Sequence, residues 1–141
     1  MPPTKHHTLL AATAIALLAL NSPGRAADKD PIDAKLDACL AEATGQTTAG
    51  MVECTGTAVD AWEKRLNETY QKALAALDPT SRDLLRTAQQ QWLAFRAAEH
   101  AAQAGPWQAD RGSLARVEVM GADLSAIKER VEELRDYLPG D

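Results

Sequence analysis

The chain has few of the residues that carry catalytic or metal chemistry. Its 141 residues include two cysteines and three histidines, and His6 and His7 fall in the N-terminal segment described below. The sequence contains no glycine-rich phosphate loop, no Cys-x-x-Cys-His and no His-Glu-x-x-His. His100 is therefore the one remaining histidine that could act as a base or a ligand. We predict no catalytic site, no metal site and no bound cofactor, and hence a protein that is not an enzyme.

Basic residues are also scarce relative to acidic ones. Removal of residues 1–26 would take away Lys5 and Arg25 and no acid, leaving 13 Lys and Arg against 20 acidic residues and a net charge of −7. Nucleic acids and anionic membrane surfaces attract basic patches, so this balance argues against both as partners. If the partner is charged, the composition favours a cationic one.

Long apolar runs are absent except near the N-terminus, where Thr8–Leu20 is apolar apart from its threonines. Lys5 precedes this run, and the small residues Gly24 and Ala26 follow it, which is the layout of a secretory signal peptide cleaved after Ala26. An uncleaved membrane anchor is the alternative, but the run is short of the roughly 20 residues that span a bilayer. We expect a signal peptide over residues 1–26, one helical domain over residues 27–141, a periplasmic or secreted location, and no stable membrane insertion after cleavage.

The two cysteines, Cys39 and Cys54, can form only one pair. In an exported protein an even number of cysteines favours a disulfide. A metal site or a catalytic thiol is the alternative for this pair. Either would need ligands or a base beyond His100, so we predict a disulfide between Cys39 and Cys54.

Apolar residues recur at steps of three and four along most of the remaining chain, which predicts helices and requires no strand. We expect a small all-α up-and-down bundle of about four helices. The predicted helices span about residues 31–43, 51–77, 79–103 and 113–138, with loops at 44–50 and 105–112. Asp30 and Ser113 are the expected N-caps of the first and last helices, and either Asp78 or Thr80 is expected to cap the third.

The apolar patterns of the last and the second helix bear on how the helices pack. Val117 to Leu138 carries a heptad-like apolar seam, which suits a helix packed in its own bundle or one that self-associates. On the second helix, Trp62, Leu66 and Tyr70 fall at core spacing. Asn67 beside them is expected to hydrogen-bond within the bundle, to Gln89 or Arg96.

Taken together, these motifs resemble the LprI-type lysozyme-inhibitor-like family of small exported bacterial helical proteins. The resemblance begins with Cys39 and Met51-x-x-Cys54 and ends with Gly112-Ser113 and the last helix. It implies an all-α fold, a mostly structural motif and inhibition of lysozyme without catalysis. The motif residues are Trp62, Leu66, Asn67, Tyr70, Gln89, Trp92 and Arg96.

The chain departs from four-cysteine members of that family at two positions. His100 stands where one further cysteine is expected, and the segment 120–122 stands where the other is expected. The absence of both together fits two cysteines that are bonded to each other in those members.

The predicted function is an exported binding protein that occludes the lysozyme cleft. The two loops are the expected contact points, and Trp107 in the second loop is the expected anchor, because exposed tryptophans are enriched at binding hot spots. An envelope or stress-response interaction module with another partner, which could also self-associate through the last helix, is the alternative.

Overall fold

The computed structural model describes residues 29–139, which form four α-helices joined by short connections. The all-α prediction is confirmed, and no strand occurs between Lys29 and Pro139. The predicted signal peptide, including the cleavage position after Ala26, lies outside the described residues. The helices are α1 (Pro31–Ala41), α2 (Thr48–Ala76), α3 (Pro79–Gln103) and α4 (Leu114–Arg135), with a 3₁₀ turn at Pro106–Gln108 between α3 and α4.

Side-chain caps fix the starts of α1 and α3. The Asp30 carboxylate accepts a hydrogen bond from the N–H of Ile32 at 2.9 Å. The Asp78 carboxylate accepts the N–H groups of Thr80 and Ser81 at 3.0 and 3.1 Å. Of the two candidates for α3, the structure therefore selects Asp78, and each cap is followed by a proline in the first helical turn.

The starts of α2 and α4 differ from the prediction. Thr47 caps α2 through the N–H of Gly50, so this helix begins at Thr48 rather than near Met51. Ser113 makes no capping hydrogen bond, because its own backbone is already helical, with φ −69° and ψ −26°. The chain enters α4 through Gly112 instead, whose φ of 75° lies in the left-handed region that favours glycine.

Two glycines allow the turn between α1 and α2 to be tight. A Cβ at Gly45 would collide with the carbonyl oxygen of Cys39, and a Cβ at Gly50 would collide with that of Thr44. Only glycine permits backbone segments to approach this closely without a shift. The end of α1 therefore lies directly against the start of α2.

Successive helices run in opposite directions, which confirms the up-and-down bundle. Consequently α2 and α4 are parallel, and the α1–α2 and α3–α4 connections lie at the same end of the bundle, called the loop end below. Pairs of residues that approach each other from neighbouring helices establish these directions. They are Cys39–Cys54 and Asp30–Arg65 for α1 and α2, and Gln89–Arg130 and Arg96–Asp123 for α3 and α4.

The core lies mainly between α2 and α4, which pack more extensively on each other than any other pair of helices. The apolar seam of α4 faces inward, and Ile127, Val131 and Leu134 are fully buried. Its prediction as a bundle helix is confirmed, since these side chains pack inside the domain, and self-association through the last helix stays a prediction. The α2 side of this core contains Ala58, Trp62, Leu66, Ala73 and Leu74.

Cys39 and Cys54 form the predicted disulfide, with their Cα atoms 5.8 Å apart. The bond joins the end of α1 to the first turns of α2 and closes a loop that contributes about 3 kcal/mol in the chain-entropy model. Because both sulfurs are bonded, neither can serve as a metal ligand or a nucleophile in this state.

Across residues 29–139, no group of three histidine, cysteine or acidic side chains is arranged to hold a metal ion. No helix in that range has the length and apolarity needed to cross a membrane.

Candidate functional site

Trp62 is the buried centre of a polar cluster that joins three helices. Its side chain is 2% exposed, and its indole Nε1 donates to Asp33 Oδ1 of α1 at 3.0 Å. Lys128 Nζ of α4 donates to the other Asp33 oxygen at 2.5 Å. The ring also lies near two cations, with Arg65 4.8 Å and Lys128 5.3 Å from its centroid. This residue therefore holds α1 and α4 on α2 and is not available to a partner.

The Asp33 carboxyl stays ionised because of these contacts. Burial by itself would raise the pKa of Asp33. The hydrogen bonds from Lys128 and Trp62 and the charges of the nearby lysines lower it by more than burial raises it, so the pKa lies below its ordinary value. The Asp33 carboxylate thus forms an ion pair with Lys128 and accepts the indole N–H of Trp62.

Gln89 and Arg130 form a second buried link, between α3 and α4. Arg130 Nε donates to Gln89 Oε1 at 2.9 Å, and Arg130 Nη1 donates to Glu133 at 2.7 Å. Both Gln89 and Arg130 are buried. A buried amide paired with a buried cation fixes the register of the two helices, because separating them would leave unpaired polar atoms.

Asn67 does not make the predicted contact. Its side chain is exposed on α2, whereas Gln89 and Arg96 bind residues of α4 instead. The prediction of a buried Asn67 amide is therefore wrong. Its neighbour Leu66 is buried, and Tyr70 and Trp92 are half-buried against the core.

Arg96 is the centre of a third cluster, which joins α2, α3 and α4. Arg96 Nε and Nη2 donate to the two oxygens of Asp123 at 2.6 and 2.8 Å, and Nη2 also donates to Glu63 at 2.6 Å. His100 Nε2 lies 2.7 Å from Asp123 Oδ1. The hydrogen bonds that Arg96 donates to Asp123 and Glu63 raise its pKa further above its ordinary range, although burial by itself would lower it. A planar guanidinium suits this bidentate arrangement, which a lysine could not reproduce.

At the loop end, Trp107 is presented on the surface and held in one place. Its side chain is 59% exposed, its indole N–H donates to the Ala102 carbonyl at 2.7 Å, and the Arg111 guanidinium lies 5.3 Å from the ring centroid. Arg111 in turn pairs with Glu118 of α4 at 2.8 Å. The ring therefore offers apolar area to a partner at little cost in conformational entropy.

A groove lies beside this tryptophan, between the last turns of α3 and the first turns of α4. Val119, Met120 and Ala115 give it apolar walls, and Gln108 and Arg116 are among its polar lining residues.

A family model described as "Lysozyme inhibitor LprI" matches residues 39–134, about two thirds of the 141 residues. The chain belongs to this family. No curated protein and no solved structure matches it. The resemblance inferred from the motif residues is thus confirmed, and the LprI family is named for inhibition rather than for a reaction.

Within this LprI domain, the two positions that lack the expected second cysteine pair lie together. His100 and Met120 line the groove at the loop end, and His100 and Ala122 line a neighbouring groove between α3 and α4. This proximity agrees with a bond between the corresponding cysteines in four-cysteine members. In this chain, His100 and Arg96 of α3 instead contact Asp123 of α4 near these two positions.

Several residues that hold the LprI domain together carried only a weak sequence signal. Asp123 and Arg130 are seven residues apart and flank the apolar seam of α4, so their common side could have been found from helical spacing. Asp33 and Lys128 are 95 residues apart, and nothing in the local pattern of either predicts the pair.

The Asp123 carboxylate should make LprI-domain stability sensitive to acid. Burial would raise its pKa, but the hydrogen bonds and charges of Arg96 and His100 outweigh burial and hold the pKa below the ordinary value of 3.8. A lowered pKa stabilises the fold fully above that value, and the contribution is lost as the pH falls through the folded-state pKa. Urea unfolding from pH 7 to pH 2 should show stability falling below about pH 4.

Asp123→Asn supplies the check on this assignment. The variant should be less stable than the wild type at neutral pH, and its stability should fall less steeply below pH 4, so that the two profiles converge in acid. Asp33, whose pKa is also lowered, leaves part of the acid dependence in place. Parallel profiles for the two proteins would show that Asp123 does not titrate with folding.

Proposed function

We propose that this LprI-family chain is exported, loses residues 1–26, and acts outside the cytoplasm as a lysozyme inhibitor that covers the substrate cleft. Lysozyme cleaves its glycan with a carboxylic acid and a carboxylate that face the sugar chain. An inhibitor need only fill that cleft, so no catalytic group is required of it. Family membership, over residues 39–134, is the observation that carries the proposal.

The charge of the chain supports a cationic partner of this kind. Residues 27–141 carry 13 basic and 20 acidic residues. Lysozymes are commonly cationic, and opposite net charges accelerate association through long-range attraction. Such attraction is screened by salt, so the association rate should decrease as ionic strength rises.

We place the contact with lysozyme at the loop end. Trp107 supplies a rigid aromatic group, and Leu114, which is also exposed, adds apolar area at the start of α4. Arg111 holds the ring from one side. Tryptophan and arginine are both enriched at binding hot spots.

Trp107→Ala should weaken inhibition of a cationic lysozyme by about tenfold or more, because the anchor of the interface is lost. The melting temperature should change little, since the side chain is mostly exposed and has one hydrogen bond within the chain. Tyr137→Ala is the matched control, because Tyr137 is an exposed aromatic at the opposite end of α4. Equal inhibition constants for wild type and Trp107→Ala would remove this residue from the contact.

A further inference from the structure

The outer surface of α3 carries large apolar side chains that no part of the described chain covers. Leu84 is 67% exposed and Phe95 is 63% exposed. They are eleven residues apart, close to three full helical turns, so they lie on the same side of the helix. Only Leu85 and Gln89 of α3 are buried. Single exposed apolar residues are ordinary, but a row of them along one helix marks an interaction surface.

The Phe95 end of this row borders an apolar groove between α3 and α4. Trp92 and Phe95 line it from α3, and Ala122 and Ala126 line it from α4, with Glu99 and His100 toward the loop end. The two alanines leave space that a larger side chain would fill. The surface of Trp92, Phe95, Ala122 and Ala126 is called the α3–α4 groove below, and Leu84 lies about three turns before Phe95 on the same side of α3.

The groove extends toward the proposed contact at the loop end. Ala102 is seven residues beyond Phe95 and so lies on the same side of α3. Its carbonyl accepts the indole N–H of Trp107, which places that ring beside the last turn of α3. A single partner could therefore contact the groove and Trp107 together.

The charged residues around the groove favour a cationic partner. From Thr87 to Ala98, the only charged residue of α3 is Arg96, which is paired inward with Asp123 and Glu63. Near Leu84, Arg86 pairs with Asp83, and Arg82 donates to the carbonyls of Leu74 and Leu77. On α4, Glu129 and Glu133 follow Ala126 by three and seven residues and lie on its side of the helix. The Gln89–Arg130 contact places these acids beside the first half of α3. Glu133 is paired with Arg130, whereas Glu129 forms no ion pair within residues 29–139, so Glu129 is the acid that remains for a cationic partner.

We propose that the α3–α4 groove is a second contact for the cationic lysozyme, which inserts an apolar side chain flanked by basic residues. This inference rests on the proposed function and extends its interface from the loop end along α3. A second copy of the chain fits less well, because each copy has a net charge of −7 after residue 26. Pairing two grooves would bring acidic rims together, and like charges disfavour such a contact.

The test uses the exported protein, purified after export, and a cationic animal-type lysozyme as the probe. Leu84→Gln/Phe95→Gln should raise the dissociation constant for lysozyme by about tenfold or more, measured by calorimetry. Its melting temperature should stay at or slightly above that of the wild type, because both side chains are exposed. Leu93→Gln is the matched control. Leu93 is 47% exposed on the same helix but lies on the opposite side from Phe95, and its variant should bind as the wild type does.

Each other outcome contradicts the inference in a recognisable way. Wild-type affinity in the double variant, together with weak binding by Trp107→Ala, would confine the contact to the loop end and leave the proposed function standing. A wild-type dimer in light scattering that the double variant abolishes would assign the groove to a second copy. Absence of lysozyme binding by the folded wild-type protein would overturn both the proposed function and the groove contact.

Discussion

Trp62→Ala is expected to lower the free energy of unfolding by about 3–5 kcal/mol, the range for removing a large aromatic side chain from a core. The indole is almost fully buried, packs between α2 and α4, and donates to Asp33. Its loss would leave a cavity at the point where α1, α2 and α4 meet. Urea unfolding monitored by circular dichroism gives the free-energy difference directly.

Trp62→Phe separates packing from hydrogen bonding. Phenylalanine retains much of the buried area but cannot donate to Asp33, which keeps its contact with Lys128. We expect a loss smaller than that of the alanine variant, about 1–2 kcal/mol, with part of it from the hydrogen bond. If the free energy of unfolding of Trp62→Ala lay within 1 kcal/mol of the wild-type value, Trp62 would not be the residue that holds α1 and α4 on α2.

Arg96→Met is expected to lower the free energy of unfolding by about 3 kcal/mol, because it leaves a carboxylate in a buried site without its cation. Asp123 would lose a bidentate partner, and Glu63 would lose its bond to the same guanidinium. Methionine approximates the length of the arginine stem, so the change isolates the charged group. The disruption should loosen α3 from α2 and α4 and increase amide hydrogen exchange along α3.

Two comparisons make the Arg96 result specific. Arg86→Met removes an exposed arginine of the same helix that pairs only with nearby Asp83, and it should change stability by no more than about 0.5 kcal/mol. Arg96→Met/Asp123→Leu removes both charges, and it should be more stable than the sum of the single changes predicts. Additive losses would show that Arg96 and Asp123 act independently.

The helices were predictable because their apolar periodicity and caps are local features. The spacing of Trp62, Leu66 and Leu74 predicts the buried side of α2, and Asp78-Pro79 predicts the start of α3. Both agree with the structure. The disulfide was predictable from the number of cysteines and the expected compartment.

The polar contacts between helices were not predictable, because each depends on how two distant segments are rotated against each other. Asn67 is five residues after Trp62 and so lies about 140° around the helix from it, on the exposed side. The prediction that it would bind Gln89 or Arg96 requires its side chain to face α3. In the structure α4 is the main contact of α2, and its Arg130 and Asp123 take those two partners.

The candidate contact surfaces were predictable only in part. Trp107 lies in a loop, and a tryptophan in a loop can fold inward or project, so the sequence could nominate it without fixing its exposure. The structure places it outward with its N–H already bonded. Helical spacing alone could not separate the exposed row of Leu84 and Phe95 from the buried side of α3, which passes through Leu85 and Gln89.

The proposed activity of this LprI-family protein is inhibition of lysozyme by binding. The most direct measurement is bacterial cell-wall turbidity clearance by a cationic animal-type lysozyme and by a bacterial-type lysozyme, each mixed with the exported protein at low and moderate salt. We expect inhibition of the cationic enzyme at near-stoichiometric dose. Salt should weaken this inhibition, because it screens the attraction between acidic and basic surfaces. Full clearance by both enzymes in the presence of excess inhibitor, from a preparation with a cooperative unfolding transition, would contradict the proposed activity.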